Sequence, residues 1–258
     1  MIFDYINSNL GEDLNKSIIT FILMFSLSIG CSNVSGPTVT GDFVYTRYTI
    51  EENIGGGYPD LRYVISVPVP FNSENPKPLI VALHYGGTVT QNTGNEFLSL
   101  LIEPALENLE GIFAVPHCPS NSWNDAHSEY AVMKMIESMK ESFNIDESKI
   151  IVVGYSFGAI GAYHYAAHYP EIFSAAIPVS GFPENDDAQI LADVPLNIIH
   201  STGDEIFPYN EVEQLVSQLQ GRGIPVNFET VEGISHYSTS NFIVPLRKSV
   251  QWLNEIWE

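Results

Sequence analysis

Residues Lys149–Gly161 read K-I-I-V-V-G-Y-S-F-G-A-I-G. Ile150, Ile151, Val152 and Val153 form a β-branched run of the kind that suits a strand buried on both faces. Gly154 ends the run, Ser156 follows, and Gly158 stands two residues further on. The next residues, A-I-G-A-Y-H-Y-A-A-H-Y, are rich in alanine and read as a helix. A Gly-x-Ser-x-Gly pattern between a strand and a helix predicts a sharp turn that lifts the serine hydroxyl above the sheet edge. Gly154 and Gly158 belong there because a Cβ at either place strikes the neighbouring strand or helix. Gly161 shares a helix face with Gly158 and lets the helix lie close to the sheet. The five-residue pattern alone is common, and Ser156 could simply cap a helix. The strand before it and the small-residue helix after it give it weight, and the rest of the chain must supply the partners a nucleophile needs.

Outward from this stretch, strands and helices alternate. Pro78–His84 (P-L-I-V-A-L-H) is a continuous apolar strand that runs into Tyr85-Gly86-Gly87. A helix is predicted over Asn95–Asn108, a strand over Gly111–Pro116, an irregular loop over His117–Ser128 and a helix over Glu129–Phe143. After the serine turn come a strand over Phe173–Gly181, a strand over Leu196–Ser201, a helix over Asn210–Gly221, a strand over Val226–Val231 and a closing amphipathic helix over Phe242–Trp257. This alternation implies one doubly wound, mostly parallel α/β sheet. Phe43–Ile50 and Leu61–Val69 alternate at period two around Gly55-Gly56-Gly57 and read as antiparallel edge strands. Only F-P-E-N-D-D-A-Q-I-L-A-D-V-P lies between the strands ending near Gly181 and beginning near Leu196. That is room for one short helix and no large cap, so an open cleft is expected.

The chain has 258 residues, 45% hydrophobic and 16% charged, with a formal net charge of −21. The length suits one α/β domain, and the composition is that of a globular chain. So acidic a surface argues against nucleic acid and anionic membrane faces as electrostatic partners. Cys31 and Cys118 do not make a disulfide framework. Ile18–Gly30 is an apolar run preceded by Lys16, too short to span a bilayer and of the length of an export signal. The stretch L-S-I-G-C that ends at Cys31 resembles a bacterial lipobox, with Ser28 where a larger aliphatic is usual. Asp4, Glu12 and Asp13 lie upstream, where a signal carries positive charge; a true start near Leu14 would account for them. The expected organisation is therefore an export signal over 1–30, a tether over 31–41 and a catalytic domain over 42–258, with a lipid anchor at Cys31 in a bacterial periplasm or cell envelope.

A serine nucleophile needs a base, and the base an orienting carboxylate. The strand Leu196–Ser201 runs into T-G-D-E-I-F-P, and the strand Val226–Val231 runs into E-G-I-S-H. Asp204 and His236 thus follow strand ends on the same sheet edge as Ser156. Glu205 is a rival acid. His84, His117, His127, His164, His168 and His200 are rival bases, and none of them follows the last strand.

With these residues in place, the chain from Asp42 onward resembles an α/β-hydrolase-fold serine esterase. It is similar to the carboxylesterase/phospholipase, dienelactone hydrolase and polyhydroxybutyrate depolymerase-like or feruloyl esterase families. The resemblance implies the order Ser156, Asp204, His236. Those families carry H-G-x-x-D-x-x-x-P with a catalytic aspartate; here His200, Asp204 and Pro208 keep the spacing and Ser201 replaces the glycine. The resemblance also implies an oxyanion hole made by the N–H of Phe157 and a second N–H from H-Y-G-G, that of Gly86 or else Tyr85. Trp123, Tyr85 and Phe182 are expected to line the substrate site. No pair of His or Cys reads as a ligand set, so neither metal nor cofactor is expected. The implied activity is hydrolysis of small or soluble carboxylic esters through an acyl-enzyme. A peptidase of the same fold and a non-catalytic binding protein of the same fold are the alternatives.

Overall fold

A computed structural model describes residues 43–184 and 186–258 in full and residues 30–40 by their backbone. Its centre is one sheet of nine strands: β1 (Gly30–Thr40), β2 (Phe43–Glu52), β3 (Leu61–Val69), β4 (Lys77–Leu83), β5 (Ile112–Pro116), β6 (Ile145–Tyr155), β7 (Ala175–Val179), β8 (Leu196–Ser201) and β9 (Val226–Val231). The spatial order is β1-β2-β3-β5-β4-β6-β7-β8-β9. The first three strands join antiparallel, and the pairs from β5 to β9 are parallel. This is the expected doubly wound sheet with antiparallel N-terminal edge strands. Both faces are covered, and alternation along each central strand divides its side chains between two cores. Leu79, Val81, Leu83, Ile150 and Val152 face one core; Ile80, Ala82, Ile151 and Val153 face the other.

Among the described residues the α-helices are α1 (Thr93–Phe97), α2 (Glu103–Leu106), α3 (Ala126–Ser142), α4 (Phe157–His168), α5 (Asp187–Ile190), α6 (Tyr209–Gly221), α7 (Ile243–Arg247) and α8 (Ser249–Trp257). Buried residues of α3, α4 and α6 fill the first core, and those of α2, α7 and α8 fill the second. Between β7 and β8 the only helix among the described residues is the four-residue α5, so the site carries no large cap.

Three expectations are corrected. The helix read over Asn95–Asn108 is interrupted by a π-helical turn at Leu98–Ile102 and ends in a 3₁₀ turn. Pro104 offers no N–H and its ring crowds the carbonyl four residues back, which widens the helix there. The helix read over Phe242–Trp257 is split at Lys248, whose N–H turns to the carbonyl of Pro245 three residues back. The stretch read as a tether over 31–41 runs instead, through Thr40, as part of β1, antiparallel to β2; residue 41 lies outside the described residues. Its Val and Thr residues suit a strand, and Pro37 falls at the register shift between Ser35 and Thr38, where a missing N–H breaks no ladder bond. The export signal read over residues 1–30 lies outside the described residues except for Gly30.

One buried ion pair ties the edge strands to the second core. Arg47 Nε donates to Glu103 Oε1 at 2.8 Å, its second nitrogen pairs with Glu103 Oε2, and Ser66 Oγ donates to Oε1. The Glu103 side chain is 0% exposed. Removing one partner leaves the other charge buried without compensation, so Glu103→Ala is expected to lower unfolding stability by about 3–5 kcal/mol. A urea midpoint indistinguishable from wild type would contradict this.

Candidate active site

The turn after β6 is as tight as the sequence demands. Ser156 sits at φ 56° and ψ −116°, a conformation that side chains rarely adopt. A Cβ on Gly154 would lie 1.9 Å from the carbonyl oxygen of Gly158, and one on Gly158 would lie 1.9 Å from that of Leu83. A Cβ on Gly161 would meet Leu83 and Trp123 at 2.7 Å. The small residues are therefore what allow α4 to start directly beneath β4 and β6, with Ser156 projecting from the junction.

Ser156, Asp204 and His236 meet. Ser156 Oγ lies 2.8 Å from His236 Nε2, and His236 Nδ1 lies 2.9 Å from Asp204 Oδ2. An ionised carboxylate only accepts, so Nδ1 carries the proton and Nε2 presents its lone pair to the serine hydroxyl. The Asp204 carboxylate is saturated. Oδ1 accepts the amides of Ile206 at 2.9 Å and Phe207 at 2.8 Å, and Oδ2 also accepts the Ser180 hydroxyl. Burial alone would raise its pKa. The hydrogen bonds from His236, Ser180, Phe207 and Ile206 outweigh burial and hold the carboxyl at about 2.

Glu205, the rival acid, does not touch the imidazole. Its Oε2 accepts the backbone N–H of His236 at 2.7 Å. On the other side the Tyr155 hydroxyl donates to the carbonyl of His236. His236 is thus held through its backbone from two directions. Ser180 and Tyr155 escaped the sequence reading. Tyr155 occupies the variable position of the Gly-x-Ser-x-Gly pattern, and the positive φ of Ser180, 53°, that turns its hydroxyl toward Asp204 leaves no mark in the sequence.

The rival histidines are engaged elsewhere. His84 accepts the amide of Cys118 at Nε2, 3.1 Å, and donates from Nδ1 to the carbonyl of Tyr85, 2.7 Å; burial lowers its pKa. It pins the loop after β4 as a neutral ring. His117 accepts the amide of Gly94 at Nε2, and burial lowers its pKa to about 4. His127 stacks on Tyr58 with centroids 4.4 Å apart. His200 donates from Nε2 to the carbonyl of Phe207 and lies beneath Asp204. His164 and His168 do not reach the serine; they converge on Asp187.

The loop Tyr85-Gly86-Gly87 runs past the start of α4. A Cβ on Gly86 would lie 3.4 Å from Cβ of Phe157. A cleft of about 800 Å³ opens there, lined by His84–Val89, Cys118–Asn121 and Phe157. Tyr85 borders it, half-buried, with its ring edge-on to Phe97 and Tyr155. Phe182 is half-buried and packs on the first core. Trp123 does not wall the cleft. It is 0% exposed, and its indole N–H donates to the carbonyl of His84 at 3.1 Å. A buried indole keeps its N–H paired, and here that bond supports the loop from behind. The part of the loop that does line the cleft is Cys118–Asn121.

Because Asp204 is held near 2 when folded and returns to an ordinary value on unfolding, its ionic hydrogen bonds contribute stability that is present in full above the ordinary Asp value of 3.8. That contribution is lost as the pH falls toward about 2. Asp204 therefore stays ionised through any milder acid range.

The sheet order, the turn carrying Ser156 and the converging side chains define the chain as an α/β-hydrolase. Comparisons with known proteins agree. Residues 121–244 match the dienelactone hydrolase family. The chain is 29% identical over 141 residues to Feruloyl esterase B of Talaromyces stipitatus, covering 51% of this chain and 38% of that protein. It is 29% identical over 177 residues to the Probable acetylxylan esterase A of Aspergillus fumigatus, covering 65% of this chain and 47% of that protein. The chain thus spans less than half the length of these relatives. Among solved structures, a thermostable esterase superposes with a TM-score of 0.67 at 25% identity, covering 82% of this chain and 62% of that one. The chain is similar to esterases of the dienelactone hydrolase, feruloyl esterase and acetylxylan esterase groups.

Proposed function

We propose that the protein is a serine hydrolase that cleaves carboxylic esters of small or soluble substrates through an acyl-enzyme. The observation that carries this is the unbroken chain Ser156 Oγ, His236 Nε2, His236 Nδ1, Asp204 Oδ2, at 2.8 and 2.9 Å. In the proposed reaction Ser156 attacks the ester carbonyl as His236 takes its proton, and His236 returns that proton to the leaving alcohol. Water then repeats the sequence on the acyl-enzyme and frees the acid and the serine. The negative charge on the tetrahedral oxygen is met by the N–H of Phe157 and that of Gly86. Phe157 opens α4, where amides are free of helical partners and the helix dipole favours negative charge. Tyr85 and Phe182 are proposed to contact substrate.

We assign the catalytic domain to residues 42–258, with β1 as an added edge strand. Export, cleavage before Cys31 and lipid on that cysteine remain the proposal for the N-terminal region, resting on the apolar run that ends in L-S-I-G-C. Among the described residues no helix is long and apolar enough to cross a membrane. An intact mass of protein from the native host reads the cleavage and the lipid together.

Hydrolysis of p-nitrophenyl esters beside aminoacyl anilides tests the activity. Turnover of short acyl esters, with no rate jump as substrate passes its solubility limit, is expected from a cleft without a large cap. Preference for the anilides would favour the peptidase reading, and inertness toward both, the binding protein.

A further inference from the structure

Away from Ser156, on the far turns of α4, stands a second cluster that the hydrolytic reading does not use. His164 and His168 are four residues apart, so both rings leave one helix face; their centroids are 4.2 Å apart. Asp187, the first residue of α5, reaches between them. Its Oδ1 lies 3.2 Å from His164 Nδ1 and 3.0 Å from His168 Nε2, and its Oδ2 lies 3.2 Å from the same His164 Nδ1. On the other side of the ring, His164 Nε2 lies 2.7 Å from Glu129 Oε1 of α3. The Asp187 side chain is 2% exposed, His164 6% and His168 40%.

Proton accounting leaves a gap here. Glu129 as a carboxylate can only accept, so His164 Nε2 carries a hydrogen. The neutral ring then has a bare lone pair at Nδ1 aimed at the two Asp187 oxygens, 3.2 Å from each, and two acceptors meet there only with a proton or a metal ion between them. Positive charge must stand between them. A proton on Nδ1 would supply one charge against two carboxylates, whereas a divalent ion would balance both. His168 Nε2, a hydrogen-bond donor to the same Asp187 oxygen in the first arrangement, becomes a second ligand in the other. Glu129 behind His164 also makes the carboxylate–histidine pair that usually orients a metal-binding ring. Donor atoms around a tetrahedral zinc, each at ~2.0–2.1 Å, are about 3.3 Å apart, so atoms now separated by 3.0 and 3.2 Å need only small shifts.

We propose that His164 Nδ1, His168 Nε2 and the Asp187 carboxylate bind a divalent ion of the zinc class, oriented by Glu129, with the fourth position open to water on the exposed His168 side. The ion clips α5, the one helix among the described residues of the β7–β8 connection, to the helix that carries the nucleophile. Eight residues along α4 separate His164 from Ser156, about 12 Å of helix, so the ion takes no part in ester cleavage. The sequence reading found no ligand pair, although His164 and His168 stand four residues apart on one helix; the third ligand comes from α5, beyond β7 in the chain.

The test uses untagged full chain, stripped with EDTA and titrated with zinc chloride. Calorimetry is expected to show one ion per chain, with the thermal midpoint rising by roughly 5 °C at zinc about a hundredfold above Kd. Cobalt(II) should give the intense visible bands of a tetrahedral site. His168→Ala, at the most exposed ligand, should abolish the zinc-dependent rise and the cobalt bands. Stripped wild type should hydrolyse p-nitrophenyl acetate at 25 °C as fast as the zinc form, which keeps this test independent of the triad. A wild type that takes up no zinc, or a His168→Ala variant that responds to zinc as wild type does, overturns the proposal and leaves a protonated His164 between two carboxylates.

Discussion

Ser156→Ala is expected to lower kcat for a simple ester on the order of 10⁶-fold, leaving only the roughly 10³–10⁴-fold acceleration over water that binding and the oxyanion donors supply. The size of the loss follows from the geometry. The hydroxyl is the group aimed at His236 Nε2, at 2.8 Å, and without it the base has no proton to take from a nucleophile. The fold should not notice. Ser156 holds its place in the turn by its backbone, whose N–H donates to the carbonyl of Val179 and whose carbonyl accepts the amides of Ala159 and Ile160. Alanine keeps those bonds and the same backbone demand. A thermal midpoint close to wild type beside the collapsed rate is therefore the expected pair of results. A variant that keeps near wild-type turnover would remove Ser156 from the mechanism, and one that unfolds would show that the hydroxyl serves the structure.

The second large effect separates two adjacent acids. Asp204→Asn is expected to cost about 10⁴-fold in kcat. An amide in place of Oδ1 and Oδ2 cannot accept from Ile206, Phe207, Ser180 and His236 together, because one of its two positions must donate. Either the loop amides lose their acceptor or the imidazole is met by an N–H and shifts to the wrong tautomer. Glu205→Gln keeps an oxygen that can accept the backbone N–H of His236, so its kcat should stay within about tenfold of wild type. Stopped assays at one saturating ester concentration suffice to rank them. If Glu205→Gln proves the more damaging, the two residues exchange roles.

The proposed catalytic residues were legible because each follows a strand that the apolar pattern marks, and parallel strands bring their carboxyl ends to one edge. That alternation placed Ser156 after β6, Asp204 after β8 and His236 after β9, while the choice of Asp204 over Glu205 rested on the spacing shared with the families the chain resembles. Other positions depended on what chain order does not carry. Trp123 in an irregular loop reads as a cleft wall, yet the loop folds back under β4 and buries the ring against the helix that Gly161 lets through. Residues 31–41 read as a polar tether, yet the backbone of Gly30–Thr40 pairs with β2, and an edge left open by β2 is what a strand-forming segment fills. Ser180 acts through a backbone angle, Tyr155 through a hydroxyl that crosses to another loop, and the pair His164 and His168 through a carboxylate from α5. Each of these is a contact between elements far apart in the chain, fixed only when the sheet has assembled.

A fluorophosphonate probe tests the central claim most directly, since it reacts with a serine only when a base and an oxyanion hole activate it. Incubation of wild-type protein, digestion and mass spectrometry of the peptides should find one adduct, on Ser156. The adduct should be absent from Ser156→Ala and reach Asp204→Asn far more slowly. No adduct on native protein, or an adduct on any other serine, would contradict the assignment of Ser156, His236 and Asp204 as the catalytic site.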